Sequence, residues 1–209
     1  MVGLIALTGA IKYQLNNKIQ WDTAWQFGLP SMLASYTSAG FSVYLTGTQQ
    51  IILFAIIMLV AALSMFKHKI NVVENAGETT FSFKLVLAGL AVGAISGLVG
   101  VGGGFLIIPA LLAFTSISMT NAVATSLVII TLQSLTGFIN YYALAEAQNL
   151  IFDWKIIAIV AGVGSLSSLL GERVSTKFSQ QKLKRIFAVF LLIMSLFILI
   201  KSNISFLLQ

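Results

Sequence analysis

The chain has 209 residues, of which 58% are hydrophobic and 9% charged, with a formal net charge of +6. A soluble domain carries roughly a quarter charged residues, so this composition, with a mean hydropathy of +0.97, excludes an ordinary soluble fold. Zero Cys excludes disulfides, thiolate metal sites and cysteine nucleophiles.

Two long runs carry no Asp, Glu, Lys, Arg or His. They are Thr23 to Phe66, 44 residues, and Leu85 to Ala145, 61 residues. A bilayer core about 30 Å thick takes roughly 20 helical residues to cross. The runs are continuous rather than alternating, which selects helices over a barrel. The chain therefore reads as an all-α polytopic protein of a bacterial-type cell membrane. The basic residues lie between the apolar runs, which is the positive-inside pattern. That makes the partner a lipid bilayer and argues against nucleic acid. His68 is the one histidine and lies between Lys67 and Lys69 in a loop, so neither a metal site nor a cofactor is expected.

In chain order, a short helix is expected at 2–14, followed by full helices at 22–45 and 50–66. Met1 to Ile11 has no basic leader and does not read as a signal peptide. A polar loop follows at 67–84, then helices at 84–100, 105–115, 121–145, 154–172 and 183–200. The piece at 105–115 is only about 16 Å long and cannot cross alone, so it reads as a half-helix or re-entrant segment.

The halves repeat each other. Leu4, Leu7, Thr8, Gly9, Ile11 and Tyr13 recur as Leu132, Leu135, Thr136, Gly137, Ile139 and Tyr141. A Trp follows each copy, Trp21 and Trp154, and Phe54-Ala55 matches Phe187-Ala188 at the same spacing. Met1 then aligns with Ile129, so the counterpart of 84–128 is absent from the first half. The expected division is an incomplete first repeat at 1–70, a polar cytoplasmic loop at 71–83 and a complete second repeat at 84–209. Two passages through 84–115 put the basic loops 12–20, 67–84 and 173–185 on one side, which favours inverted repeats, a transporter architecture. A parallel duplication with looser charge bias is the alternative.

The sharpest local feature runs from Gly97 through Gly100, Gly102, Gly103 and Gly104 to Phe105 and Pro109. Consecutive glycines are poor helix formers, each about 1 kcal/mol worse than Ala. In a bilayer an unwound backbone must be buried in protein or line a cavity. A helix restarting at Phe105 turns free N–H groups and the positive end of its dipole toward that break. This geometry binds an anion without a charged side chain. The alternative is close helix packing, which Gly93 and Gly97 fit well. On the following helix Asn121, Thr125, Ser126, Gln133, Ser134 and Asn140 form a broad polar stripe. They either donate to an oxyanion or hydrogen-bond between helices.

Gly100 to Leu111, followed by Asn121-Ala122-Val123-Ala124-Thr125-Ser126-Leu127, resembles the TauE/SafE family of membrane transporters, the sulfite and organosulfonate exporters. The resemblance implies export of small sulfur-containing anions. The substrate-binding candidates are Gly102, Gly103, Gly104, Phe105, Pro109, Asn121, Thr125, Ser126 and Gln133. Family members look like two repeats that each open with the glycine-rich motif, and the first copy is absent here. The second reading is therefore a truncated or non-transporting membrane subunit that needs a complementary chain; a homo-oligomer is the other partner considered. No Ser-His, paired Asp or His/Glu set lies at membrane depth, so an enzyme is not expected.

Overall fold

The computed structural model describes residues 1–67, 82–99, 104–147, 154–175 and 178–207, and these residues form helices and turns without strands. The helices are α1 (Val2–Leu15), α2 (Trp21–Ala39), α3 (Gly47–Lys67), α4 (Phe83–Val99), α5 (Gly104–Phe114), α6 (Met119–Ala147), α7 (Trp154–Ser175) and α8 (Gln180–Leu207). Most of the polar loop expected at 67–84 lies outside the described residues.

Helix ends follow local chemistry. The helix expected at 22–45 stops at Ala39 and continues as a 3₁₀ turn over Gly40–Tyr44. Helix α3 starts at Gly47, earlier than expected, because Thr46 and Gln49 form a reciprocal capping box. The Gln49 N–H donates to Thr46 Oγ1 at 3.4 Å, and the Thr46 N–H to Gln49 Oε1 at 3.0 Å. Ser118 caps α6 by accepting the Asn121 N–H at 3.1 Å. Gln180 takes another orphan donor of that first turn, accepting the Thr120 N–H at 3.0 Å and donating to Thr120 Oγ1 at 2.8 Å. This clamp holds the starts of α6 and α8 at the same end.

Among the described residues, four helices hold a stretch long and apolar enough to cross a membrane: Gly47–Lys67, Met119–Thr136, Trp154–Ser175 and Gln180–Lys201. Their outer faces expose large apolar side chains such as Ile56, Val60, Ile159, Val163, Ile193 and Phe197, which belong in lipid. The protein is a multi-pass membrane protein. The inner faces build one core in which Phe27, Met58, Ile107, Leu111, Ile129 and Leu191 are buried together.

Side-chain neighbours give the helix directions. Helices α2 and α4 run parallel, since Phe27, Ser31 and Ser35 meet Gly89, Gly93 and Gly97 in that order. Helices α2 and α6 are also parallel, with Gln20 on Thr125, Gly28 on Ile129 and Ser31 on Gln133. Helix α1 runs with α7, where Ile5 meets Gly164, Gly9 meets Ser168 and Tyr13 Oη hydrogen-bonds Ser175 Oγ at 3.1 Å. It runs against α6, where Gly3 meets Ser134 and Gly9 meets Leu127. These directions gather Lys12 at the end of α1, Lys84 at the start of α4, Arg173 near the end of α7 and Lys182 at the start of α8 on one end of the bundle.

The tightest contact is the glycine ridge of α4 on α2. A methyl at Gly89 would stand 2.5 Å from the Phe27 carbonyl oxygen, and methyls at Gly93 and Gly97 would overlap the Ser31 and Ser35 carbonyls. Small residues at four-residue spacing let two backbones touch. Gly93→Ala is therefore expected to cost about 1–3 kcal/mol by overpacking. Thermal unfolding in detergent checks this, with Gly40→Ala as the neutral control because nothing lies near Gly40. A second expectation follows from the helix directions. Lys182→Cys and Ala147→Cys, at opposite ends of the bundle, should label from opposite faces of sealed vesicles.

Candidate functional site

Helix α5 is the half-helix expected from the sequence. Its 11 residues reach about 16 Å, half of a bilayer core. It is helical because Phe105 to Leu112 is a continuous apolar run, and most of that run is buried in the core. Pro109 lies inside it and has no N–H to return to the Phe105 carbonyl. Helix α4 ends at Val99 and α5 begins at Gly104, while Gly102 and Gly103 lie outside the described residues.

Gly104 starts α5 against the middle of α6, where a methyl would come within 2.8 Å of Ile130 Cδ1. The first turn of α5 therefore opens inside the bundle. Its leading N–H groups have no partner within the helix, and the helix dipole is positive there. Beside this turn is a narrow crevice lined by Phe54, Ile57, Ile95, Ser96, Val99, Phe105 and Leu106. It is nowhere wide enough for a water-sized sphere. Phe54 of α3 and Phe105 of α5 meet edge to face across it, with ring centroids 4.7 Å apart and planes at 83°.

Ser96 is the one polar residue of the lining. It is 3% exposed, and its Oγ has no hydrogen-bond partner. The sequence reading did not select it. Its signal is slight: one hydroxyl between Gly93 and Gly97, eight residues before Gly104. Among the described residues no charged side chain lines the crevice.

The polar candidates on α6 separate onto different faces. Thr125 is fully buried against α2 and accepts the Gln20 N–H at 3.1 Å. Gln133, two turns on and also facing α2, donates from Nε2 to Ser31 Oγ at 2.6 Å, while its Oε1 is buried without a partner. Ser126 is buried, and its hydroxyl returns to the Val123 carbonyl at 2.8 Å. Asn121 is half-buried in the first turn of α6. Of the candidates, Phe105 lines the crevice and Gly104 lies against Ile130 of α6, whereas the bonds of Thr125 and Gln133 join α6 to α2. Among the described residues no cluster of His, Cys, Asp or Glu could hold a metal ion.

A family model described as sulfite exporter TauE/SafE matches residues 1–198. A probable membrane transporter protein of Xylella fastidiosa strain 9a5c is 27% identical over 204 residues, covering 94% of this chain and 76% of that protein. Another probable membrane transporter protein, from Methanocaldococcus jannaschii, is 32% identical over 190 residues, covering 87% and 69%. No solved structure matches the chain.

The Ser31–Gln133 bond generates a stability test. Ser31→Ala leaves the Gln133 amide unpaired and should cost about 1–3 kcal/mol, whereas Ser31→Ala with Gln133→Leu should recover most of that loss. Thermal unfolding of the two variants in detergent measures the difference.

Proposed function

We propose that this chain, which belongs to the sulfite exporter TauE/SafE family, moves small sulfur-containing oxyanions such as sulfite or organosulfonates across the membrane. One observation carries the reading. The N-terminus of α5 opens inside the bundle beside a buried hydroxyl that has no partner. The backbone N–H groups of Gly102 to Phe105 cradle the oxyanion, with a helix dipole behind them. No lysine or arginine holds the anion, so binding stays weak enough for release, as conduction requires. Glycine at 102–104 allows close approach to the backbone. Pro109, inside α5, leaves the Phe105 carbonyl without its usual helical donor. Thr125, Ser126, Asn121 and Gln133 of α6 are the further candidates along the solute path, and the buried Gln133 oxygen there lacks a partner.

Inverted repeats support a transporter architecture. Shifting α1 by 128 residues and α2 by 133 turns the Ile5–Gly164 contact into the Gln133–Ser31 contact. The same shift of 133 carries the buried Ala55, Met58 and Ala62 of α3 onto the buried Ala188, Leu191 and Ser195 of α8. Related helices run in opposite directions, which fits inversion and keeps the basic end cytoplasmic. On this reading 1–70 and 84–209 are the two units.

A second reading, a subunit working with a complementary membrane chain, is favoured by α7. On α2 the face of Phe27, Ala34 and Ser38 is buried, and α4 packs along this helix. Its counterparts on α7, which are Val160, Ser167 and Gly171, are exposed. Small and hydroxyl residues on a helix face suit another helix better than lipid.

Efflux from proteoliposomes loaded with sulfite or an organosulfonate tests both readings. The purified chain alone is expected to release the anion, and Gly103→Leu to slow release at least about tenfold, a barrier of roughly 1.4 kcal/mol. Unchanged flux in Gly103→Leu removes the backbone cradle. A folded chain without any flux favours the complementary-chain reading.

A further inference from the structure

We infer that Ser96 is a ligand-contacting residue and that Phe54 and Phe105 form a gate closed over it. The inference rests on the anion-transport reading and adds to it a side-chain donor and the barrier in front of that donor.

Hydroxyls on helices in this protein normally return to a carbonyl three or four residues back. Ser126, Thr131, Thr136 and Ser195 do so at 2.8–3.1 Å. Ser96 does not, although it is 97% buried and equally helical. A buried hydroxyl left unpaired is destabilising, so its retention is accounted for by a partner that arrives from outside. Ser96 lines the crevice, and every other lining side chain is apolar.

The aromatic pair decides when a solute reaches it. Phe54 and Phe105 both line the crevice and touch edge to face, and the space left between the walls does not admit water. Turning either ring aside widens the crevice without moving a helix. Phe105 is also the second residue of α5, so the ring that opens the crevice sits on the turn whose free N–H groups receive the anion. Ring edges carry positive potential and ring faces negative. A solute entering past an edge meets a ring edge, then a hydroxyl proton and amide protons. All of these favour an anion and disfavour a cation of equal size.

The chain contains no cysteine, so Ser96→Cys supplies a single thiol. The probes are two methanethiosulfonate reagents of similar size, one bearing a sulfonate and one a trimethylammonium group. They are applied to the full chain in proteoliposomes, with each rate referred to that with a free small thiol. Ser96→Cys alone is expected to react slowly. Adding Phe54→Leu should raise the rate with the sulfonate reagent at least about tenfold, a barrier change of roughly 1.4 kcal/mol, and Phe105→Leu should do the same from the α5 side. Ser195→Cys, buried in α8, should stay unreactive in the same backgrounds. Fast reaction without a Phe substitution, or no acceleration with either one, overturns the gate. Equal acceleration at Ser195→Cys also overturns it, because the bundle has then merely loosened. Acceleration that does not distinguish the sulfonate from the trimethylammonium reagent keeps the gate and refutes the anion reading.

Discussion

Backbone touches backbone where α4 lies on α2. Gly89, Gly93 and Gly97 bring the α4 main chain against the carbonyls of Phe27, Ser31 and Ser35, with the Ser38 hydroxyl also lying against Gly97. In a bilayer such close approach is a main source of helix association, because lipid tails are as apolar as leucine and supply no hydrophobic drive. The contact also sets the rotation of α4 about its axis. With one face locked to α2, Ile95, Ser96 and Val99 turn toward α3 and α5. The crevice, its hydroxyl and the opening of α5 all follow from that rotation.

The second constraint is the demand for hydrogen bonds inside hydrocarbon. Most helical hydroxyls here meet it by bonding back to their own helix, and the helix starts meet it with Thr46, Ser118 and Gln180. Against that background the buried polar atoms without partners are few among the described residues: Thr23 Oγ1, Ser96 Oγ and Gln133 Oε1. Only Ser96 lines the crevice beside a helix N-terminus. The proposed site, assembled from amides and a hydroxyl without cations, would suit a solute that must leave as readily as it enters.

Much of the fold was legible because the bilayer restricts it so severely. The uncharged runs gave the all-α class, and the half-helix expected at 105–115 is α5 at Gly104–Phe114. Glycines before it and Pro109 within it are local signals, readable without neighbours. The capping box of Thr46 and Gln49 was equally local, and it lengthens α3 beyond the apolar run at 50–66. The polar stripe on α6 was visible, but not its assignment to faces. Which of Thr125, Ser126 and Gln133 meets α2 depends on how α6 is rotated against four neighbours, α1, α2, α5 and α8.

The sequence by itself determined a helical membrane protein, its family resemblance and a short helix after a glycine-rich motif. Each of these is written in composition or in consecutive residues. Tertiary structure alone decided that Ser96 lines a crevice with Phe54 and Phe105, and that Thr125 and Gln133 bond to α2. Those facts join residues from about 10 to more than 100 positions apart. In an apolar helix one serine looks like any other. Packing makes the difference, by closing six apolar neighbours around one hydroxyl and leaving it without an acceptor.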